Sequence, residues 1–324
     1  MSFVTKRFKT GIYSVVVTED KIETEVLKDV SDVYRITSRD EFEAAFPEID
    51  GLIVDITPVT DEMMSKMKNL KIVVRHGMGA DNIDIPAATK HRVIACNVPR
   101  FNLEEVSDYA LAAALSLANH LPQYTWKVMH ERSWLLQDLE PKTEVQEMTL
   151  GILGLGQIGT LFAKKAKPLF KKIISYDPFM NRERAAALGV EVIDDIDDVF
   201  RQADIVSVHV PLTPATRNLV NADRLKLMKK TAFLINTSRG ELVDIDALSA
   251  ALHSKRIAGA ALDVLEGEPI PDMTHPIFRE PGIILTPHVA WYSSQSLHKL
   301  RVTAAEEVRD AYLGKRPVGQ LNEF

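Results

Sequence analysis

Residues 149–177, TLGILGLGQIGTLFAKKAKPLFKKIISYD, decide the fold. The apolar run Leu150 to Leu153 reads as a strand, Gly154-Leu155-Gly156-Gln157-Ile158-Gly159 as a glycine turn, and Thr160 to Leu169 as a helix. Lys172 to Tyr176 is then a second strand that ends at Asp177. Strand, G-x-G-x-x-G turn and helix in that order form a dinucleotide-binding unit. The first glycine permits the turn, the second lets backbone amides approach a pyrophosphate, and the third lets the helix pack on the strand, while the helix N-terminus favours negative charge. Asp177 stands 18 residues past Gly159. A carboxylate there accepts hydrogen bonds from ribose hydroxyls and repels a 2′-phosphate, which favours NAD over NADP.

The same alternation of short β-rich runs and helical stretches extends in both directions. Upstream, Gly11 to Val17, Val33 to Ile36, Gly51 to Ile56 and Leu70 to Arg75 read as strands, the last running into the turn Gly77-Met78-Gly79. A stripe of Val106, Ala110, Ala113 and Leu117 marks a helix from about Leu103 to Leu121, which Pro122 is expected to end. The stretch Trp126 to Glu147 is mixed in pattern, with Trp134 its one strong anchor. Downstream, Glu191 to Ile193, Ile205 to Val210, Ala232 to Ile235, Ile257 to Leu262 and Ile283 to Leu285 complete a doubly wound, parallel α/β sheet.

At 324 residues the chain is long enough for about two domains, and 46% hydrophobic with 26% charged residues is ordinary for a globular protein. Disorder and a small disulfide-stapled fold are excluded. Lys and Arg number 39 against 45 Asp and Glu, a net charge of −6, so no positive field is available for a nucleic-acid backbone. The single cysteine, Cys96, reads as a small buried hydrophobe in a reducing cytosol. Lys6, Arg7 and Lys9 open the chain, but the apolar stretch Val15 to Val17 is too short for a signal peptide. Ala110 to Ala118 covers about half of a membrane span. A cytoplasmic protein with no membrane, nucleic-acid or metal partner is expected.

Three further segments lie where a strand hands over to a loop. These are Asn236-Thr237-Ser238-Arg239-Gly240, Asp263-Val264-Leu265-Glu266-Gly267-Glu268-Pro269 and Thr286-Pro287-His288. Open α/β sheets bind ligands outside the carboxyl ends of their strands, so Arg239, Glu268 and His288 are expected to converge although they are 29 and 20 residues apart. Taken singly, each is more often a surface charge, a turn residue or a satisfied loop histidine. Three together on a dinucleotide fold make that reading unconvincing.

At these residues the chain resembles the D-isomer-specific 2-hydroxyacid dehydrogenases, from about Leu52 to Leu313. The resemblance includes Gly79-Ala80-Asp81-Asn82-Ile83-Asp84, Asn97-Val98-Pro99, His209-Val210-Pro211-Leu212-Thr213 and the run Met228 to Gly240. It implies two Rossmann-like doubly wound domains with the active site in the cleft between them. A discontinuous, flavodoxin-like substrate domain would take residues 1–98 and 292–324, and an NAD-binding domain residues 99–291. Carried over by the same resemblance, Arg239 binds the substrate carboxylate and 2-oxo oxygen, His288 is the acid/base, and Glu268 orients the imidazole. The amides of Met78 and Gly79 are a second carboxylate clamp. Gln157 and Ile158 lie at the coenzyme pyrophosphate, with Gly154, Gly156 and Gly159, while Asp177 binds the adenosine ribose. Val210 lies near the adenosine, Thr237 near the ribose and Asp263 at the nicotinamide amide. The chemistry agrees: histidine titrates nearest working pH, a carboxylate beside it stabilises imidazolium, and the planar donors of arginine match a carboxylate.

Several positions depart from the family pattern. Arg100 stands where glycine usually follows Asn-Val-Pro, and Pro168 and Lys171-Lys172 precede the second strand in place of the usual residues. Ala290, Trp291 and Tyr292 follow the histidine and resemble the C-terminal-binding-protein branch, whose members include NAD(H)-binding corepressors. Trp291 would then either line a pocket for an apolar keto-acid side chain or pack between domains. The expectation is an NAD-dependent enzyme acting on a small 2-oxo or 2-hydroxy acid, with a corepressor-like NAD(H) sensor as the alternative. A formate dehydrogenase is disfavoured because Glu268 stands where that relative has glutamine. A homodimer through the nucleotide-binding domains is expected, as is the absence of a regulatory domain of the phosphoglycerate dehydrogenase kind.

Overall fold

Runs rich in valine, isoleucine and leucine form twelve strands among the residues that a computed structural model of the chain describes, 7–139, 141–270 and 273–324. Lys6, read above with Arg7 and Lys9, lies outside them. The chain divides into two units, Met1–Phe101 with Ser293–Phe324, and Asn102–Tyr292. Each is built on a parallel sheet with helices around it, the doubly wound α/β class. Among the described residues no helix is long and apolar enough to cross a membrane.

The first unit holds β1 (Phe8–Tyr13), β2 (Ser31–Arg35), β3 (Gly51–Val54), β4 (Ile72–Arg75) and β5 (Ile94–Cys96), ordered β2-β1-β3-β4-β5. β3 and the Ile72-Val73-Val74 stretch of β4 are buried throughout, which is why they read as continuous apolar runs instead of alternating ones. β1 begins and ends earlier than the sequence pattern indicates. Beyond Tyr13 the chain leaves the sheet, because the Val15 amide donates to Asp55 Oδ2 at 2.6 Å and holds the segment in a loop, where the Val15 side chain is exposed. β5 went unread, since three residues are too few to show a period. Cys96, on that strand, is fully buried, and burial pushes its thiol up, away from nucleophilic chemistry.

The C-terminal helix, Ser294–Tyr312, belongs to this unit, to which a buried ion pair ties it. The Arg301 guanidinium meets the Glu23 carboxylate of helix Lys21–Leu27 with both forks, Nε to Oε1 at 2.8 Å and Nη2 to Oε2 at 2.6 Å, and Glu23 is fully buried. Losing one partner of such a pair costs about 3–5 kcal/mol because the other charge is stranded. Arg100 has φ +62°, in the left-handed region. A residue with a Cβ adopts that geometry at a cost of about 1–2 kcal/mol, which accounts for glycine being usual there.

The second unit holds β6 (Thr149–Leu153), β7 (Lys172–Tyr176), β8 (Glu191–Val192), β9 (Ile205–Val208), β10 (Phe233–Asn236), β11 (Gly259–Leu262) and β12 (Ile283–Leu285). Their order is β12-β11-β10-β9-β6-β7-β8. The chain runs outward from β6 to β8, returns to β9 on the other side of β6, and runs outward again, so the order reverses between β6 and β9. That reversal opens a crevice at the strands' carboxyl ends. Helix Leu103–Ala118 packs beside helix Gln157–Ala166, and Lys165 links them through Ser107 Oγ at 2.8 Å and Asp108 Oδ1 at 2.6 Å. This helix stops at Ala118, not Leu121, and Pro122 does not end it. His120 turns the chain with φ +55°, and Pro122 sits in the first turn of the next helix, Leu121–Trp126, where a missing N–H costs nothing.

Candidate active site

The three glycines after β6 serve different purposes. Gly154 has φ +91°, and a Cβ on it would stand 2.6 Å from the His209 carbonyl. A Cβ on Gly159 would collide with the Gly154 carbonyl, so only glycine lets the helix approach the strand this closely. Around Gly156, by contrast, a Cβ would meet nothing within 4 Å. Gly156 is also the N-cap of helix Gln157–Ala166 and supplies no capping side chain. The first helical amides, those of Gln157 and Ile158 included, have no acceptor within the helix, and open space lies in front of them. That is the shape and polarity a pyrophosphate fills.

Asp177 ends β7 and leans back onto this loop. Its Oδ2 accepts the Leu155 amide at 2.9 Å and its Oδ1 the Phe179 amide at 2.8 Å, so the carboxylate is fixed while each oxygen keeps capacity for a further donor. Thr237, after β10, has a buried hydroxyl without a hydrogen-bond partner, a polar atom awaiting something the chain does not supply. Val210 packs against the core, and its Cγ1 lies 2.8 Å from where a Gly154 Cβ would be. Open space at Gly156, a fixed Asp177 and the orphaned Thr237 hydroxyl fit a dinucleotide.

The loops after β10, β11 and β12 carry the candidate chemistry. Buried Asn236 shapes the first: its Nδ2 donates to the Arg239 carbonyl at 2.7 Å and its Oδ1 accepts the Ser238 amide at 3.0 Å. Arg239 Nη1 donates to the Ser238 carbonyl at 2.8 Å. A Cβ on the next residue, Gly240, would collide with the Leu265 and Glu266 backbone, so the Arg239 turn rests directly on the loop after β11. In that loop Glu268 Oε1 accepts the Leu265 amide at 2.6 Å, and Glu268 Oε2 lies 2.6 Å from His288 Nδ1. His288 has φ +55° and remains about one-third exposed. A carboxylate on Nδ1 fixes the tautomer and presents Nε2 as the reactive nitrogen.

Asp263 is nearly fully buried and is engaged with its own chain. Its Oδ1 accepts the Thr286 hydroxyl at 2.6 Å and the Val289 amide at 2.8 Å, and its Oδ2 accepts the Ala290 amide at 2.8 Å. Burial pushes its carboxyl up, and these donors and the His288 charge pull it back. One acceptor position on Oδ2 is left for an amide donor. Trp291 is half-buried with its ring edge-on to Tyr292, centroids 5.1 Å apart. In the other unit, Met78 and Gly79 follow Gly77, which has φ +152°, and the turn is held by Asn97 Nδ2 on the Met78 carbonyl at 2.6 Å and the Val98 amide on the Gly77 carbonyl at 2.9 Å.

Two other histidines are set apart by burial, which pushes His209 down to about 4 and His76 down to about 3 and so keeps both neutral. His209 is part of the scaffold behind the glycine loop, bonded to Ser207 and packed on Phe162. The sequence reading gave no role to Asn236, Thr286 or Tyr109. Asn236 and Thr286 stood inside quoted motifs, whereas nothing local marks Tyr109, whose partner Thr286 is 177 residues away.

Residues 111–290 match the family model for the NAD-binding domain of D-isomer-specific 2-hydroxyacid dehydrogenases. The chain belongs to that family. The segment that carries the glycine loop, Asp177, Arg239, Glu268 and His288 is therefore an NAD-binding domain, with NAD(H) as cofactor. The D-3-phosphoglycerate dehydrogenase of Synechocystis sp. is 38% identical over 298 residues, covering 91% of this chain and 53% of that protein. Its counterpart in Methanocaldococcus jannaschii is 35% identical, covering 94% and 57%. The chain thus spans about half the length of these relatives. The solved D-lactate dehydrogenase of Aquifex aeolicus, complexed with NAD and lactic acid, is 28% identical with a TM-score of 0.84, covering 94% of this chain and 96% of that one.

Gly156→Val separates the cradle from the scaffold. The added side chain enters open space, so the melting temperature should stay within about 2 °C of wild type while NADH affinity, read by quenching of protein fluorescence, falls at least about tenfold. Gly159→Ala should instead lower stability by about 1–3 kcal/mol through overpacking. Undiminished NADH affinity in Gly156→Val would remove the pyrophosphate from this loop.

Proposed function

We propose that the protein is an NAD-dependent dehydrogenase that interconverts a small 2-oxo acid and its D-2-hydroxy acid, with His288 as the acid/base. The observation that carries this reading is the 2.6 Å pair of His288 Nδ1 and Glu268 Oε2, on loops that abut the Arg239 turn beside a dinucleotide cradle. NAD(H), when bound, supplies or accepts the hydride at the substrate's C2. Arg239 holds the substrate carboxylate and 2-oxo oxygen, and its positive charge draws electron density toward that oxygen. The Met78 and Gly79 amides are a second clamp for the substrate carboxylate. Protonated His288 gives its Nε2 proton to the oxygen as it becomes an alkoxide, and the neutral ring takes it back in the reverse direction. The Glu268 carboxylate accepts the Nδ1 proton throughout and stabilises the ring while it is charged.

Asp177 makes NADH the preferred coenzyme by repelling a 2′-phosphate. Trp291, three residues after His288, lines the substrate pocket and favours an apolar side chain. The relatives' names, D-3-phosphoglycerate and D-lactate dehydrogenase, widen the set of acids worth testing. A steady-state panel of glyoxylate, hydroxypyruvate, phenylpyruvate, 4-methylthio-2-oxobutyrate, D-lactate and D-3-phosphoglycerate, each with both coenzymes, should give turnover of at least one acid with a clear preference for NAD(H). Arg239→Lys should lower kcat/KM on that acid at least about a hundredfold and leave NADH affinity nearly intact, since a point charge cannot reproduce the planar fork. A parallel fall in coenzyme affinity would make Arg239 structural, and no turnover of any acid would overturn the reading.

Apolar surface around Trp134 completes the proposal with a homodimer formed through the second unit. Trp134 is 85% exposed and Leu136 80%, with Leu135 and Met129 also exposed, an apolar run that association would cover. Light scattering at micromolar concentration should give twice the chain mass, and a monomer there would refute the dimer.

A further inference from the structure

Thr286 is hydrogen-bonded on both sides. Its hydroxyl donates to Asp263 Oδ1 at 2.6 Å, and the Tyr109 hydroxyl lies 2.5 Å from the same oxygen, Thr286 Oγ1. Thr286 has one proton and gives it to the carboxylate, so Tyr109 must be the donor to Thr286 and the chain has one direction, Tyr109 to Thr286 to Asp263. Burial raises the Tyr109 phenol, which keeps its proton in place. Asp263 in turn grips the loop on both sides of His288. Its carboxylate accepts the Val289 and Ala290 amides, and its main-chain carbonyl accepts the His288 amide at 2.7 Å. His288 keeps a left-handed backbone, unfavourable for a residue with a Cβ, while it is held at these points.

We propose that Tyr109 and Thr286 are positioning residues for the acid/base, a directed donor chain that holds the Asp263 carboxylate against the Val289 and Ala290 amides and so keeps the loop carrying His288 in place. The inference rests on the reading of His288 as the acid/base. His288 Nδ1 faces Glu268 Oε2, and the Asp263 carboxylate faces the Thr286 hydroxyl and, through it, Tyr109. The Thr286 donor is the largest of the contributions that hold the Asp263 carboxyl down against burial. Without it the Asp263 clamp on the Val289 and Ala290 amides loosens, and with it the pairing of His288 with Glu268.

Three variants of the full chain test this: Thr286→Val, which keeps the shape and loses the hydroxyl, Thr286→Ser, which keeps the hydroxyl, and Tyr109→Phe, which keeps the ring. One readout is the NMR titration of the His288 ring in the coenzyme-free protein, assigned by its loss in His288→Asn. The other is the split of kcat and KM in 2-oxo acid reduction. Thr286→Val should lower the titration midpoint by about half a unit or more and kcat about tenfold, with KM changed less than about twofold. Thr286→Ser should restore both, and Tyr109→Phe should move both in the same direction by less. If Thr286→Val fails to fold, Tyr109→Phe carries the test. Equal behaviour of Thr286→Val and Thr286→Ser, or an unmoved midpoint in Tyr109→Phe, overturns the proposal. Absence of turnover in the wild type would defeat the dehydrogenase reading by itself, with the titration still deciding the donor chain.

Discussion

All seven strands of the larger sheet run the same way, and the candidate site residues depend on that constraint. In a parallel sheet every loop that follows a strand emerges on one edge, so residues far apart in the chain become neighbours there. The Gly154–Gly159 loop follows β6, Asp177 follows β7, Arg239 follows β10, Asp263 and Glu268 follow β11, and His288 follows β12. Direct packing then tightens what the topology assembles. Gly240 rests on the backbone of the next loop, Glu268 bridges that loop to His288, and Asp263 clamps the residues around His288. The sheet is thus a frame whose single direction brings an arginine, three carboxylates and a histidine to one edge.

Much of this arrangement was legible in the sequence because its signals are local. The glycine turn and Asp177 lie within one strand–helix–strand unit, and each glycine's duty follows from covalent geometry alone. Arg239, Glu268 and His288 could be grouped because each stands just past a strand, a position the hydrophobic pattern reveals. The misreadings share a cause. Pro122 was taken as a stop, but proline forbids only a helix interior and is at home in a first turn, as in Leu121–Trp126. β5 is too short for a pattern to appear, and β1 was drawn past Tyr13 because the Asp55 carboxylate that captures the Val15 amide comes from a distant loop.

The least legible parts are the polar contacts across long separations. Asp263 was read as facing a ligand, and three of its acceptor positions also serve the His288 loop, while the Tyr109 hydroxyl reaches that assembly from a helix with no motif of its own. Burial also sorts the histidines in a way composition does not. His76 and His209 are enclosed without a carboxylate and are neutral, fit for scaffolding, while His288 is part-exposed and paired with Glu268. Membership in the 2-hydroxyacid dehydrogenase family and the geometry of this pair are what support the proposed chemistry, hydride transfer coupled to a proton carried on one imidazole.

That coupling makes the Glu268 carboxylate the decisive group. Reduction consumes the imidazolium proton and oxidation requires the neutral ring, so removing the negative charge from Nδ1 must act on the two directions differently. The measurement is kcat/KM against pH for both directions in wild type and Glu268→Gln. In the variant the basic limb of reduction should move toward acid by about one pH unit, with oxidation relatively spared at low pH. A basic limb that stays where it is in the wild type would contradict the account, leaving Glu268 a turn residue and His288 without its partner.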